Sequence, residues 1–575
     1  KITGCTAEGK DETPGIGTMA LEQLPVAIAE SGSIAVDGVS TATITSNAIK
    51  EAAAAALVAA GLNADDYKTE VKVDTTKAED STIDADVAIV GAGGAGMTAA
   101  ITAAAEGKSV VILESQPMVG GNSVRATGGM NAGDTVYQDE NEFGESAGVE
   151  KTLKTAAEKY ADNATITALA KTVSEQWAAY QADPKGYFDS VELMELDTMI
   201  GGKGLNNPEL VETLCSNSAD AIDWLDEHGI TLHSVSSFGG ASVKRIHRPV
   251  DGDGKTVSVG SYMIPLLQEN CDKAGVQTLL NTTATEILTD ANGAAVGVKA
   301  TGASGETVTV NAKAVVLATG GFGANLDMVT KYKPELKGFM TTNAAGAQGQ
   351  GIEMATAIGA DTVDMDQIQI HPTVEANTAA LITEGLRGDG AVLINAEGKR
   401  FIDEVGTRDV VSAAEIAQTG SYSWLVVDQA MVDASSVIQG YIKKGYTVTG
   451  ETYEELGKAM GVDEAAFAET MNTWNGYVEA KNDPDFGRTS FANPLNTAPY
   501  YAIKVTAGVH HTMGGLKINT NTEVLKADGS VIPGLFAAGE VTGGVHGANR
   551  LGGNAVADFV VFGRIAGAAA SKYAA

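Results

Sequence analysis

Asp86-Val87-Ala88-Ile89-Val90-Gly91-Ala92-Gly93-Gly94-Ala95-Gly96 runs from an apolar strand into a glycine turn and on into a helix. Gly91 permits the tight turn, Gly93 lets backbone approach a pyrophosphate, and Gly96 lets the helix pack on the strand. Gly94 and Ala95 open the helix, whose free amides and dipole favour phosphate. A second strand is expected at Ser109–Glu114. Glu114, 18 residues after Gly96, stands where an acid holds a ribose hydroxyl. Strand, turn, helix and terminal acid in this order predict a dinucleotide-binding α/β fold.

Working outward, Gly120-Gly121-Asn122-Ser123 and Thr127-Gly128-Gly129-Met130-Asn131 follow Glu114. NAD folds lack this second glycine cluster. Gly534-Leu535-Phe536-Ala537-Ala538-Gly539-Glu540 is a further strand running into a turn, the usual way an FAD fold brings backbone to the isoalloxazine ring. The chain returns to the first fold at Ala314–Gly323 and again over Gly534–Ala575, with a segment rich in charged and aromatic residues between them. An inserted domain explains this order. The predicted architecture is a Rossmann-like FAD-binding domain (83–365 and 511–575), an inserted α+β clamp or capping domain (366–510), a linker (71–82) and a small amino-terminal α+β unit (1–70). In that unit a strand is expected at Lys1–Thr6 and an Ala-rich helix at Asn47–Ala60.

Bulk properties narrow the partners. Lys and Arg number 39 against 73 Asp and Glu, a net charge of −34, which repels nucleic acid and anionic lipid. An anionic substrate therefore needs a local cluster of Arg and His. Cys5, Cys215 and Cys271 form no CxxCH or metal-ligand spacing, so neither haem nor zinc is expected. No apolar run approaches the ~18 residues of a membrane span. A chain opening at Lys1 reads as processed or trimmed, so the absence of a signal peptide carries no information.

On these motifs, residues 82–575 resemble the flavoprotein subunit of the fumarate reductase/succinate dehydrogenase family, most closely its soluble flavocytochrome branch. The resemblance implies non-covalent FAD contacted at Ala95, Glu114, Asn122, Ser123, Thr127, His511, Glu540, Ala555 and Val556, with Gly129 beside it. Gln350 stands in Gly349-Gln350-Gly351 where the family usually has Asp. It also implies a site for a small dicarboxylate or other enoate. Arg550 and His510 would clamp one carboxylate, and His371 and Thr383 would hold the other twisted out of conjugation. Gly128 and Gly553 would lie close to substrate. Arg408 would donate the proton, resupplied through Glu384 and Arg387. Thr512, Met513, Gly514, Glu540 and Thr542 match a sodium site of the flavocytochrome branch.

Ser40-Thr41-Ala42-Thr43 resembles the attachment motif of FMN-binding domains, with Thr41 where Gly is usual. That resemblance places covalent FMN on Thr43, with Thr45 as the alternative, and implies a flavin transferase. The unit is short at its start by comparison with that family. FMN would accept electrons from a membrane-associated or extracellular donor and pass them to FAD, which favours a secreted, cell-surface or periplasmic protein. The expected activity is reduction of fumarate to succinate. The alternatives are reduction of urocanate, acrylate, methacrylate or cinnamate, and a non-catalytic flavin electron carrier.

Overall fold

The computed structural model describes residues 2–9, 17–38, 43–68 and 77–575. The amino-terminal unit consists of helices α1 (Gly17–Ser31) and α2 (Thr43–Ala59), which share a small core of Leu24, Ile28, Ile34 and Ile49. The strand expected at Lys1–Thr6 is not formed: residues 2–9 carry no regular structure. A strand is stable only against a partner strand, and none occurs among the described residues of this unit. Ser40, Thr41 and Ala42 of the attachment motif lie outside the described residues, and Thr43 opens α2.

Strand β1 (Ser81–Val90) is the axis of an eight-stranded sheet. It begins five residues earlier than the apolar run Asp86–Val90, because Ser81 to Ala85 pair in parallel with a long strand, β4 (Thr307–Leu317). On its other side β1 pairs in parallel with β2 (Val110–Leu113), and β2 with β3 (Gln277–Leu279). Helix α3 (Gly94–Ala105) makes the crossover from β1 to β2. The last four residues of β1, Val87 to Val90, are buried and apolar, as a parallel strand covered on both faces requires.

A separate antiparallel sheet lies wholly within residues 368–512. Its strands include β5 (Ile368–Glu375), β6 (Val392–Ile394), β7 (Tyr422–Asp428) and β8 (Tyr500–Thr512), with β8 between β5 and β7. Alternate residues face two cores. Ile394, Trp424 and Val426 pack with Phe467 and Trp474, while Leu393, Leu425 and Val427 pack with Leu386 and Tyr441. Helix α4 (Arg408–Ile416) rests on this sheet. The chain then returns to the first sheet through β9 (Val531–Ala537), parallel to β4, and ends in α5 (Asn554–Tyr573), which packs along α3.

From β1 the chain moves one way to β2 and β3, and later the other way to β4 and β9. The carboxyl ends of these strands therefore flank a topological switch point, where open α/β sheets bind ligands. Among the described residues no helix is long and apolar enough to cross a membrane, and the three cysteines are free.

Candidate active site

A cleft of about 1630 Å³, mouth included, opens at that switch point and continues to the second sheet. Its first part is built from backbone. Gly91 has φ +105°, a conformation that leaves glycine as the natural occupant. A Cβ on Gly96 would strike the Gly91 carbonyl, so the third glycine is fixed by helix-on-strand packing. A Cβ on Gly93 would have only Ser123 Oγ at 3.6 Å and Gly120 O at 3.9 Å nearby, leaving backbone open to the cleft. Ser123 Oγ accepts from Gly94 N–H at 3.1 Å, and Glu114 Oε2 from Ala92 N–H at 2.8 Å. Burial pushes the Glu114 carboxyl up against the bonds it accepts from the Ala92 and Gln116 amides. An open glycine loop, a helix N-terminus and an acid at the end of β2 fit a dinucleotide.

Every residue assigned to FAD contact lines the cleft except Gly96, which lies beneath the turn. The lining set is Gly91, Gly93, Gly94, Ala95, Glu114, Asn122, Ser123, Thr127, Gly129, Gln350, His511, Glu540, Ala555 and Val556. Asn122 Oδ1 accepts from Ala344 N–H at 2.7 Å and its amide donates to Asn343 at 2.6 Å, tying the second glycine cluster to a distant loop. Thr512, Met513, Gly514 and Thr542 lie outside the cleft wall. Thr512 N–H donates to Glu540 at 3.0 Å and Thr542 Oγ1 to Gly539 O at 2.9 Å. Among the described residues no three His, Cys, Asp or Glu side chains group to hold a metal.

The far end of the cleft is built from buried charge. Gly128, His371, Thr383, Glu384, Arg408, His510, Arg550 and Gly553 all reach it. Two of the three histidines come from one irregularity. In the pairing of β5 with β8, Gln369 faces His511 and Ile370 faces Val509, so His510 is an extra residue. In a regular strand His510 and His511 would point to opposite faces; the bulge lets both line the cleft. Rings of His371 and His510 lie 4.9 Å apart. Thr373 N–H donates to His371 Nδ1 at 3.2 Å, so the proton of the neutral ring sits on Nε2. His510 Nδ1 is held by Thr342 Oγ1 at 2.7 Å. Burial, reinforced by Arg408, keeps both rings well below the ordinary histidine range and hence neutral.

Arg408 is the first residue of α4. Its Nε and Nη2 donate to Glu384 Oε2 at 2.8 and 2.5 Å, and its Nη1 to Gln369 Oε1 at 3.0 Å. Arg387 does not reach the cleft; its Nη2 lies 3.1 Å from Glu384 Oε1, behind that carboxylate. Burial raises the Glu384 carboxyl, but Arg408 and Arg387 together outweigh it and hold the group below its usual range. The Arg550 guanidinium makes one hydrogen bond among the described residues, to Leu551 O at 3.0 Å, and its Nε has no partner there. Burial and then repulsion from Arg408 push it down to about 9. The glycines have structural reasons of their own: a Cβ at Gly128 would meet the Phe238 ring at 2.9 Å, and Gly553 has φ +87° against Asn131.

Sequence reasoning missed Gln369. Its amide donates to Asn549 Oδ1 at 2.8 Å and Arg550 O at 2.7 Å while accepting from Arg408, so one side chain ties the Arg408 guanidinium to the backbone that carries Arg550. Its position two residues before His371 was the available signal. Arg125, Phe238 and Asp558 also line the cleft without having been foreseen.

Against known proteins, residues 86–183 and 176–556 match the FAD binding domain family, and residues 1–58 the FMN-binding domain family. Fumarate reductase (cytochrome) of Shewanella frigidimarina is 43% identical over 488 residues, 85% of this chain and 77% of that protein. The chain belongs to the fumarate reductase flavoprotein family. It is 40% identical to NADH:fumarate oxidoreductase of Klebsiella pneumoniae over 97% of its own length, but spans only 54% of that relative. Urocanate reductase of Eggerthella lenta is 36% identical, with 98% of this chain and 87% of that protein covered. Among solved structures, the open conformation of a flavocytochrome c3 fumarate reductase matches with a TM-score of 0.65 and 37% identity over 88% of this chain and 83% of that one.

Proposed function

We propose that this protein reduces the C=C bond of a small dicarboxylate, with fumarate giving succinate as the leading pair. One observation carries the reading: Arg408 and Arg550, both buried, share the far end of the cleft with Glu384 as the carboxylate that pairs with Arg408, while Arg550 has none in its hydrogen bonds. Glu384, Glu540 and Asp558 act on Arg550 without touching it and do not offset its burial; a carboxylate bound in contact relieves that cost.

Bound FAD supplies the hydride. Arg550, with planar donors, and His510 hold one carboxylate. The His371 Nε2–H and the Thr383 hydroxyl hold the other. Arg408, fixed by Glu384 and Gln369, gives its proton to the carbanion carbon. Isolated Arg does not deprotonate in proteins. The step is tenable because Glu384 and Arg387 stand in line to return a proton as it leaves. Donors at both ends of the site favour a dicarboxylate over acrylate, methacrylate or cinnamate.

A second reading keeps the chemistry and takes urocanate as substrate. The near full-length match to a urocanate reductase favours it. Anaerobic oxidation of reduced methyl viologen, offered fumarate, urocanate, acrylate, methacrylate and cinnamate in parallel, separates the two. Turnover on fumarate supports the first, and on urocanate alone the second. Inertness on all five, with FAD bound, leaves the electron-carrier reading.

The proposal extends to electron entry. Thr43 would hold FMN through its phosphate, and the flavin there would supply a redox group through which electrons from a membrane-associated or extracellular donor in anaerobic respiration could reach the FAD site. The family match over residues 1–58 and the Ser40–Thr43 motif support this. Covalent attachment prevents flavin loss outside the cell, consistent with a secreted, cell-surface or periplasmic protein modified by a flavin transferase. Flavin fluorescence retained on the denatured wild-type chain and lost in Thr43→Ala is the expected result. Retention in Thr43→Ala and loss in Thr45→Ala moves the site to Thr45.

A further inference from the structure

Glu384 and Arg387, which stand behind Arg408, share one short piece of chain. Glu384 caps the helical turn Gly385–Gly388, and Arg387 is the third residue of that turn. A single turn is too short to hold its own shape in isolation. Its first and last residues are glycine, which weakens a helix further. The spacing of Glu384 and Arg387 therefore has to be set by what surrounds the turn.

One side is close packing. A Cβ on Gly388 would meet the Ser237 carbonyl at 2.5 Å, and one on Gly385 the Arg248 guanidinium at 3.0 Å. The other side is held by Arg488, which the proposed mechanism does not use. Arg488 is 2% exposed and does not line the cleft. Its Nη2 donates to the Arg387 carbonyl at 2.7 Å. Its Nη1 donates to Ala391 O at 3.2 Å and to Glu404 Oε2 at 3.1 Å, and its Nε to Ser490 O at 2.8 Å. Glu404 in turn accepts from Arg387 Nη1 through its backbone carbonyl at 2.6 Å. Arg387 is thus gripped at both ends: its carbonyl by Arg488, and its guanidinium by the residue whose carboxylate Arg488 holds. Arg400 completes the cluster, donating to Glu404 at 2.7 and 2.8 Å and to Asp483 at 3.0 Å. Two guanidinium groups face two carboxylates, so the charges balance and the cluster acts as a fixed support. Held this way, Arg387 Nη2 lies 3.1 Å from Glu384 Oε1.

We propose that Arg488 is a positioning residue for the proton supply: by holding the Arg387 carbonyl and the Glu404 carboxylate together, it sets the distance from the Arg387 guanidinium to Glu384. The inference rests on the relay of the proposed function. Arg488 touches neither substrate nor cofactor and exchanges no proton. It acts through Arg387 alone.

The test uses the full chain loaded with flavin. Lysine keeps the charge opposite Glu404 but replaces the planar fork with one ammonium, which cannot span all four acceptors. Arg488→Lys should lower kcat about tenfold, part of the ~10²–10⁴-fold that a positioned proton carrier contributes. KM and FAD content should be unchanged, and the solvent deuterium isotope effect should grow. In an Arg387→Ala background the same substitution should lower kcat no further, because the group it positions is gone. Equal losses in both backgrounds would mean a merely structural role and overturn the proposal. An unchanged kcat and isotope effect in Arg488→Lys also overturns it, as does a rise in KM that accounts for the lost activity. If Arg488→Lys does not fold, Glu404→Asp decides in the same assays. It keeps the charge and withdraws the anchor of Arg488 by one methylene, so kcat should fall with KM unchanged, and an unaltered kcat and isotope effect overturns the proposal. Wild-type protein inert on every enoate is a different failure, that of the proposed function itself.

Discussion

The two ends of the cleft solve opposite problems. The nucleotide end is made of backbone: Gly91, Gly93 and the start of α3, with the buried acid Glu114 just after β2. The substrate end is made of buried ionisable side chains from separate segments: His371, Glu384, Arg408, His510 and Arg550. A backbone site is set by φ and by close packing, so it fails through added bulk. A site of buried charges is set by mutual compensation, so it fails when one partner goes. Variants at one end should therefore lose cofactor, and variants at the other should lose turnover while keeping cofactor.

The largest effect separates the ends most clearly. Arg408→Ala should lower kcat by ~10²–10⁴-fold with FAD still bound, read from the visible spectrum and from viologen assays. A spectrum without FAD would mean that charge at the substrate end also holds the cofactor. Gly96→Ala is the converse. Its methyl meets the Gly91 carbonyl, and overpacking costs about 1–3 kcal/mol. FAD affinity should drop accordingly, with kcat per bound flavin unchanged. A fall in kcat at full occupancy would break the comparison.

These two variants also mark what was legible in the residues. The nucleotide end was readable because its geometry is contiguous: eleven residues from Asp86 to Gly96 carry strand, turn and helix start together. The return of the chain at Ala314 and Gly534 was legible for the same reason. The substrate end is assembled from positions scattered from 128 to 553, and single Arg or His residues hold no local pattern, so their roles entered through family resemblance. Even that did not reveal the bulge that turns His510 toward His371, nor Gln369 tying the Arg408 guanidinium to the Arg550 backbone. Both depend on the register between β5 and β8, which no local pattern encodes. The strand expected at Lys1–Thr6 failed by the converse rule: suitable residues make no strand without a partner.

Protonation gives a smaller, graded test. Arg550 is pushed down to about 9 by burial and by Arg408, so it loses its charge as pH rises through that value. Turnover at low substrate should fall accordingly, and kcat/KM should show an alkaline limb near 9. A bound carboxylate favours the charged guanidinium, so the corresponding limb in kcat should lie higher. Coincident limbs would remove Arg550 from the carboxylate clamp. The neutral histidines predict no acid limb at the ordinary histidine value.

The smallest effect probes the border between the ends. Thr342 lines the cleft and holds His510 Nδ1 at 2.7 Å through its hydroxyl. Thr342→Val keeps the shape and removes that anchor, leaving the imidazole free to turn and change tautomer. One neutral hydrogen bond contributes about 0.5–1.5 kcal/mol, so KM should rise roughly two- to tenfold with FAD affinity unchanged. The direction matters more than the size. A rise in KM assigns Thr342 to the substrate end through His510, so the carboxylate clamp includes the Thr342 hydroxyl. A loss of FAD affinity with KM intact would assign it to the cofactor, and the boundary between a backbone-built and a charge-built site would run through His510 itself.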